Sequence, residues 1–170
     1  IKKMLRDHVI PKPETIVGYK LHQLVEGLTE GDAPLFLDRG KSLLVRTEKK
    51  ITETGTAVEI PSGNSIIGFE LRACVSKKVK GKHRYFPVSN YQIRHGWLRT
   101  KGEQFGFEPL TVTCSCEMKK LTDGGSRSFQ IDHTDFAGIL KVIDEQKFKK
   151  AMETGVGSTA RAFGYGMLIL

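Results

Sequence analysis

The stretch Leu110–Lys119 alternates strictly between two kinds of side chain. Leu, Val, Cys, Cys and Met occupy one set of positions, and Thr, Thr, Ser, Glu and Lys occupy the other. Side chains of a β-strand point alternately to its two faces, so a period of two predicts a strand with one face against a core. Such a strand cannot bury its apolar face alone, so the chain must supply further strands and a covering layer.

Shorter patterns predict the remaining elements. Glu48–Asn64 is rich in Thr, Gly, Ser and Pro, which predicts a loop with one short strand. Asp144 is placed to cap the last predicted helix, and Gly155 to end it. We predict helices over Gly18–Leu28, Tyr91–Thr100 and Asp144–Thr154. We predict strands over Lys2–Ile10, Ala33–Leu37, Ser42–Thr47, Ser65–Lys77, His83–Val88, Leu110–Lys119, Ser128–His133, Phe136–Val142 and Gly164–Leu170.

The order of these elements predicts the fold class. A β-α-β-β round with one further strand is followed by a second round that ends β-α-β. Both rounds place helices on one side of a mostly antiparallel sheet. We therefore predict an α+β protein of two tandem ferredoxin-like (RRM-like) domains, residues 1–88 and 89–170.

Positive charge is concentrated in one segment. The 170-residue chain has 27 Lys and Arg against 19 Asp and Glu, a net charge of +8. No acidic residue lies between Glu70 and Glu103, where nine basic residues do, so the rest of the chain has 18 basic residues against 19 acidic ones. Five of the nine lie in the predicted hairpin Lys77–Arg84, at Lys77, Lys78, Lys80, Lys82 and Arg84. Such a block repels itself unless an anionic partner binds it.

Aromatic residues are interleaved with these cations. The segment contains Tyr85, Phe86, Tyr91 and Trp97, and Phe69 lies just before it. Cations bind phosphates and aromatic faces stack on unpaired bases, so the combination indicates RNA or single strands. A solvated basic face with ordinary core aromatics is the alternative. A membrane-surface patch fits less well, because the cations do not lie along an amphipathic helix.

The predicted helix Gly18–Leu28 presents one histidine away from the core. At 100° per residue its leucines and Val25 cluster on one side, while Tyr19, His22 and Glu26 lie almost opposite. Imidazole exchanges protons near neutral pH, so His22 can take a proton from a ribose 2′-hydroxyl or give one to a leaving 5′-oxygen. Tyr19, one turn earlier, can orient the histidine or the phosphate. Exposed His and Tyr on a helix are also common without any function.

The segment 155–166 combines four glycines with Arg161. Gly155, Gly157 and Ala160 superficially match a dinucleotide-binding fingerprint, but that motif follows a strand and opens a helix, whereas here a helix comes first. One interpretation is a loop whose backbone amides approach phosphates beside Arg161. The other is a helix C-cap followed by a wide turn.

The sequence gives little support to a metal site, a disulfide framework or a membrane span. Three cysteines with one C-x-C pair match neither a zinc site nor a disulfide framework, which favours a reducing cytoplasm. No H-E-x-x-H motif or carboxylate cluster indicates a metal, so we predict metal-independent chemistry without a cofactor. No run approaches the ~20 apolar residues of a membrane span.

Several of these features together resemble one family. Tyr19-Lys20-Leu21-His22-Gln23 near the N-terminus and the glycine-rich segment near the C-terminus resemble the CasE-type CRISPR RNA-processing endoribonucleases. Gly68–Ala73, Asp123–Gln130 and Phe136–Leu140 also resemble corresponding stretches of that family. The resemblance runs through nearly the whole chain in the same order.

The resemblance implies a fold, an activity and residue roles. It implies two tandem ferredoxin-like domains that bind the stem-loop of CRISPR repeat RNA. It implies metal-independent cleavage by 2′-hydroxyl attack, which leaves a cyclic phosphate and a 5′-hydroxyl, with the product retained in a Cascade-like complex. His22 would be the acid–base group with Tyr19 beside it. The RNA contacts would come from the hairpin Lys77–Arg84 and from Arg127, Gly155, Gly157 and Arg161.

Two other hypotheses remain open. The same fold can cap a guide RNA without cutting it, with His22 idle. A general RNA-binding protein of the ribosomal or splicing type would need only the basic segment and the ferredoxin-like pattern, and would bind many RNAs without preferring one hairpin.

Overall fold

The computed structural model of the chain describes residues 4–122 and 125–170. Within these ranges the chain forms two four-stranded sheets, a separate two-stranded hairpin, three α-helices and one short 3-10 helix. The strands are β1 (Arg6–Pro11), β2 (Leu35–Asp38), β3 (Ser42–Thr47), β4 (Thr56–Ala57), β5 (Ile66–Ala73), β6 (Lys77–Val79), β7 (Lys82–Arg84), β8 (Phe107–Thr122), β9 (Ser128–Val142) and β10 (Leu168–Ile169). The helices are α1 (Tyr19–Leu28), α2 (Tyr91–Phe105) and α3 (Glu145–Thr154), with the 3-10 helix at Arg161–Phe163.

The first sheet has the strand order β2-β3-β1-β4, with antiparallel pairs throughout. Helix α1 covers it because Leu21 and Val25, one turn apart, meet Phe36, Leu43 and Val45 in one buried cluster. This is the ferredoxin-like order, but residues 48–55, where a second helix would stand, form only turns and loop. The predicted loop with one short strand is confirmed by β4.

The second sheet has the order β10-β5-β9-β8 and contains the larger core. Its elements follow the complete ferredoxin-like sequence β5-α2-β8-β9-α3-β10. Helices α2 and α3 cover one face, where Leu98, Phe105 and Phe148 pack against Phe69 and Phe136 of the strands. The α+β class with two ferredoxin-like sheets is therefore confirmed.

Arginine side chains join the two sheets. Arg46 of β3 is bound by both carboxylate oxygens of Asp7, and its Nη1 donates to the carbonyls of Met152 and Leu168 at 3.0 and 2.9 Å. From the second sheet, Arg72 donates to the carbonyl of Asp38 at 2.6 Å. Charged and directional bonds of this kind fix the sheets relative to each other.

Strand membership divides the chain differently from the predicted boundary between residues 88 and 89. The first sheet ends at Ala57, and β5 from Ile66 onward pairs with β9 in the second sheet. The hairpin β6–β7, which the sequence assigned to the first domain, is thus an insertion between β5 and α2. The periodicity of a strand reveals its faces but not its distant partner, so the local pattern of β5 left its sheet undetermined. The division at residue 88 stays a prediction.

Several element boundaries also differ from the predicted ones. Helix α2 continues to Phe105, and β9 is one continuous strand where two were predicted. The hairpin strand predicted over His83–Val88 is limited to Lys82–Arg84. The terminal strand predicted from Gly164 is limited to Leu168–Ile169, because Gly164 and Gly166 have positive φ angles of 94° and 100°. The first residues of the strand predicted over Lys2–Ile10 lie outside the described ranges.

No helix among the described residues is long and apolar enough to cross a membrane.

Candidate nucleic-acid cleavage site

Helix α1 presents Tyr19 and His22 on its outer face. Gly18 precedes the helix with a positive φ of 61°, and burial of Leu21 and Val25 fixes its rotation. The His22 side chain is 29% exposed, with its Nε2 atom 3.7 Å from the Oε2 atom of Glu26. The rings of Tyr19 and His22 are 6.1 Å apart between centroids and tilted by 45°. The predicted orientation of both side chains away from the core is confirmed.

The glycine-rich segment 155–166 returns to this helix. Its 3-10 turn Arg161–Phe163 contacts α1. A cleft of about 470 Å³ lies between them, and both His22 and Arg161 line it. The Nε atom of Arg161 is buried and has no hydrogen-bond partner among the described residues. The fold thus places an acid–base side chain and a guanidinium, 139 residues apart in sequence, at one cleft.

The two glycines predicted to line an RNA path are placed by packing. Gly155 is buried at a φ of 92°, its N–H is bonded to the carbonyl of Ala151, and a Cβ there would lie 2.9 Å from Leu35. It is therefore a helix C-cap and not an exposed RNA contact, because its backbone donor is already used. Gly157 is half-buried at a φ of 85°, and a Cβ there would lie 3.1 Å from the Trp97 ring.

The end of the β8–β9 hairpin reaches the same region. The backbone of Thr122 lies 3.7 Å from where a Cβ on Gly18 would stand, directly before Tyr19. At the start of β9, Phe129 packs edge-on against Phe163, with ring centroids 5.7 Å apart. Arg127 between them is exposed. Asp123 and Gly124 of the predicted turn lie outside the described ranges.

The basic hairpin β6–β7 stands beside the glycine-rich segment. Lys77 pairs with Arg84 in the ladder, and Lys80 and Gly81 form a two-residue turn with φ angles of 50° and 77°. The side chains of Lys77, Lys80, Lys82 and Arg84 are exposed, and the side chain of Lys78 is not described. At the hairpin's base, the Ser76 hydroxyl lies 3.3 Å from that of Thr159. The hairpin therefore offers an array of exposed cations next to the cleft.

Two cations of the basic segment are already paired with carboxylates. Arg94 is completely buried in an ion pair with Asp132. Arg72 donates from Nε to Asp135 at 2.8 Å. The absence of acids from segment 71–102 therefore does not leave all nine of its cations unpaired, because β9 supplies two carboxylates.

Sequence reasoning missed a buried polar chain beneath the glycine-rich segment. The sequence analysis did not single out His133, yet Nδ1 of His133 lies 2.7 Å from the Tyr165 hydroxyl and Nε2 lies 3.1 Å from Oδ2 of Asp135. Burial of Asp135 acts to raise its pKa, but hydrogen bonds from His133 and Arg72 outweigh it and lower the pKa to about 2. The spacing His133-x-Asp135 on one strand face was the available signal.

Burial also affects the neighbouring thiol and phenol. It raises the pKa of Cys74 to about 11 and that of Tyr85, which is hydrogen-bonded to Cys74, to about 12. Burial likewise raises the pKa of Tyr165. These groups stay protonated near neutral pH. No group of three or more His, Cys, Asp or Glu side chains suited to a metal ion occurs among the described residues.

Comparison with known proteins assigns the family. The sequence model of the family described as CRISPR associated protein matches residues 51–170. The chain belongs to this family. The matched range contains the second sheet, the basic hairpin and the glycine-rich segment, while Tyr19 and His22 precede it. No curated protein matches the chain significantly by sequence.

Solved structures of CRISPR proteins share the fold. Thermus thermophilus Cse3 bound to an RNA representing a pre-cleavage complex is 18% identical with a TM-score of 0.76, over 98% of this chain and 97% of that one. Cas6e from Escherichia coli K-12 is 22% identical with a TM-score of 0.73, over 97% of both chains. A chain of E. coli Cascade bound to a PAM-containing double-stranded DNA target is 19% identical with a TM-score of 0.59, over 97% of this chain and 96% of that one. The predicted family resemblance and tandem fold are thus confirmed.

Proposed function

We propose that the chain is an endoribonuclease that binds the stem-loop of a CRISPR repeat RNA and cuts the precursor once beside it. The observation that carries this proposal is the convergence of His22 and Arg161 on one cleft next to an exposed basic hairpin. The fold shared with Cse3 bound to a pre-cleavage RNA supports it. Within one small region, His22 would then supply acid–base chemistry, Arg161 would neutralise charge, and the basic hairpin would bind RNA.

The chemistry we propose is an internal transesterification. The ribose 2′-oxygen attacks the adjacent phosphorus and the bond to the 5′-oxygen breaks, which leaves a 2′,3′-cyclic phosphate and a 5′-hydroxyl. One proton leaves the 2′-hydroxyl and one is gained by the 5′-oxygen, so no metal or other cofactor is consumed. The partly exposed imidazole of His22 moves one of these protons. Tyr19 orients the phosphate, and Arg161 stabilises the negative charge that grows on its oxygens.

The RNA duplex would lie along the basic hairpin. Lys77, Lys80, Lys82 and Arg84 are exposed on a two-stranded hairpin, so their charges can follow a phosphate backbone. Lys78 belongs to the same proposed contact by its place in the sequence, as does Arg127 at the end of the β8–β9 hairpin. Gly157 would give the backbone room beside Trp97, while Gly155 contributes by capping α3.

We further propose that the product stays bound and that the protein joins a Cascade-like complex in the cytoplasm. A chain of E. coli Cascade has the same fold, which supports this partner. Contacts spread over the basic hairpin, the β8–β9 hairpin and the glycine-rich segment would hold the stem after the single-stranded side has been cut away. Slow release follows, since the stem contacts are unchanged by cleavage.

The test uses purified protein, a panel of hairpin RNAs drawn from CRISPR repeats, and EDTA. We expect one cut at the base of one stem, a cyclic phosphate at the new 3′ end, and loss of the cut in His22→Ala with unchanged affinity. His95→Ala is the matched control, because His95 is also partly exposed but lies on α2. Tight binding of one hairpin without a cut would establish the capping module instead. Equal binding of all hairpins would refute the proposal.

A further inference from the structure

Four side chains form a continuous hydrogen-bonded chain on the face of the second sheet that α2 and α3 leave uncovered. The Tyr165 hydroxyl meets His133 Nδ1 at 2.7 Å, His133 Nε2 meets Asp135 Oδ2 at 3.1 Å, and Arg72 Nε donates to Asp135 Oδ1 at 2.8 Å. Tyr165 and His133 are each only 5% exposed. A buried polar chain costs free energy unless every member is satisfied, so its completeness calls for a role.

Asp135 fixes the direction of two of these bonds. Its ionised carboxylate accepts hydrogen bonds and donates none, so Arg72 Nε–H and His133 Nε2–H both donate to it. The third bond joins His133 Nδ1 to the Tyr165 hydroxyl, and either group can be its donor. Asp135 therefore orients the His133 ring, and the ring in turn meets the Tyr165 hydroxyl.

The same residues fasten both ends of the glycine-rich segment. The carbonyl of Arg72 accepts the N–H of Gly166 at 2.7 Å, and the carbonyl of Gly166 accepts the N–H of Val156 at 2.8 Å. Tyr165 is the neighbour of Gly166, so its side chain and the adjacent backbone are held together. Between these fixed points lie residues 157–164, which contain Arg161.

None of the four side chains lines the cleft between His22 and Arg161. We propose that Tyr165, His133, Asp135 and Arg72 are positioning residues that hold the glycine-rich segment so that Arg161 faces His22, which rests on the proposed cleavage at that cleft. Arg72 also donates to the carbonyl of Asp38 on β2, so the chain ties this geometry to the first sheet that bears α1. Small errors in the placement of a charge-stabilising group cost a large share of a reaction rate.

The experiment compares Tyr165→Phe with Tyr85→Phe. Both tyrosines belong to one apolar cluster and each loses only a hydroxyl, but Tyr85 is hydrogen-bonded to Cys74 and stands outside the chain. We expect Tyr165→Phe to slow single-turnover cleavage roughly tenfold, the effect of one good hydrogen bond, with RNA affinity within about twofold of the wild type. Tyr85→Phe should cleave at the wild-type rate.

Two further measurements separate positioning from general destabilisation. Asp135→Asn should slow cleavage similarly, and the double variant with Tyr165→Phe should be no slower than the worse single variant, because both break one chain. Amide hydrogen exchange at Gly164 and Gly166 should quicken in Tyr165→Phe and stay unchanged in Tyr85→Phe. Additive rate losses, equal slowing in Tyr85→Phe, or a rate loss that follows lost RNA affinity would overturn the proposal.

The exchange measurement needs no cleavage. Should the wild type cut no hairpin, the proposed function fails, while the exchange rates at Gly164 and Gly166 still decide whether Tyr165 and its partners hold the segment. Should the wild type cut and Tyr165→Phe cut equally well with faster exchange, the segment is held by the chain but its position does not matter to the reaction, and the positioning role is refuted.

Discussion

Replacement of Arg94 by methionine tests how the basic segment divides between structure and binding. Arg94 is fully buried on α2, where its guanidinium is ion-paired with Asp132. It also donates to the Thr134 hydroxyl at 3.0 Å and to the carbonyls of Pro87 and Asn90 at 2.8 and 3.0 Å. Methionine keeps much of the apolar stem but leaves all of these acceptors without their donor.

The expected loss of stability follows from the Asp132 charge, which stays buried after Arg94 is replaced. Removing one partner of a buried ion pair costs about 3–5 kcal/mol, because the other charge is left buried without compensation. A domain is stable by only about 5–15 kcal/mol in total, so a large share of the stability is lost. For a chain of this size each kcal/mol lowers the melting temperature by about 2–4 °C, so we expect a fall of about 6–20 °C.

The assay is thermal and denaturant unfolding of Arg94→Met beside Arg99→Met. Arg99 lies on the same helix and in the same basic segment but is exposed, so its replacement should change stability by less than about 0.5 kcal/mol. Adding Asp132→Asn to Arg94→Met should recover part of the loss, since the uncompensated charge is gone. A loss below about 1 kcal/mol in Arg94→Met, or an equal loss in Arg99→Met, would refute the reasoning.

Three further predictions concern the first sheet and the basic hairpin. Burial lowers the pKa of His8 from 6.5, so below about pH 6.5 the unfolded chain binds a proton that the folded chain does not. The free energy of unfolding should therefore fall as the pH drops. His8→Gln should remove this pH dependence in denaturant titrations between pH 5 and 8. Arg46→Met should destabilise by about 3 kcal/mol in the same titrations, because Asp7 loses its paired cation and two carbonyls lose their donor, and wild-type stability would contradict this. Lys82→Ala should weaken RNA binding and reduce the slope of log affinity against log salt by about 1, whereas an unchanged slope would show that Lys82 meets no phosphate.

Local pattern was sufficient for most elements of the fold. The period of two in β8 and the two faces of α1 come from side-chain geometry within one element, so each could be predicted from its own residues. Sheet membership could not, because it depends on pairing between distant segments: β5 pairs with β9, where Ala73 stands opposite Thr134. The predicted boundary at residue 88 followed the order of the predicted elements along the chain, which carries no information about that pairing.

The candidate site was predictable to the extent that it lies on single elements. The exposure of His22 followed from the rotation of α1, which Leu21 and Val25 determine. Arg161 and His22 line one cleft because of the path of the glycine-rich segment, and we propose that Tyr165 helps to hold that path. Its hydroxyl meets His133, 32 residues away, so no spacing within either element revealed the contact.

The basic segment shows why a local charge count is an incomplete guide to binding. Asp132 and Asp135 are three residues apart on β9 and therefore point to opposite faces of the sheet. Asp132 is ion-paired with Arg94 beneath α2, and Asp135 is ion-paired with Arg72 on the uncovered face beside the glycine-rich segment. Carboxylates of one strand thus pair with two cations of the basic segment, one on each face of the sheet. The cations left exposed at Lys77–Arg84 lie on a hairpin with its own ladder and turn, so replacing them one at a time should change RNA affinity while leaving both cores intact.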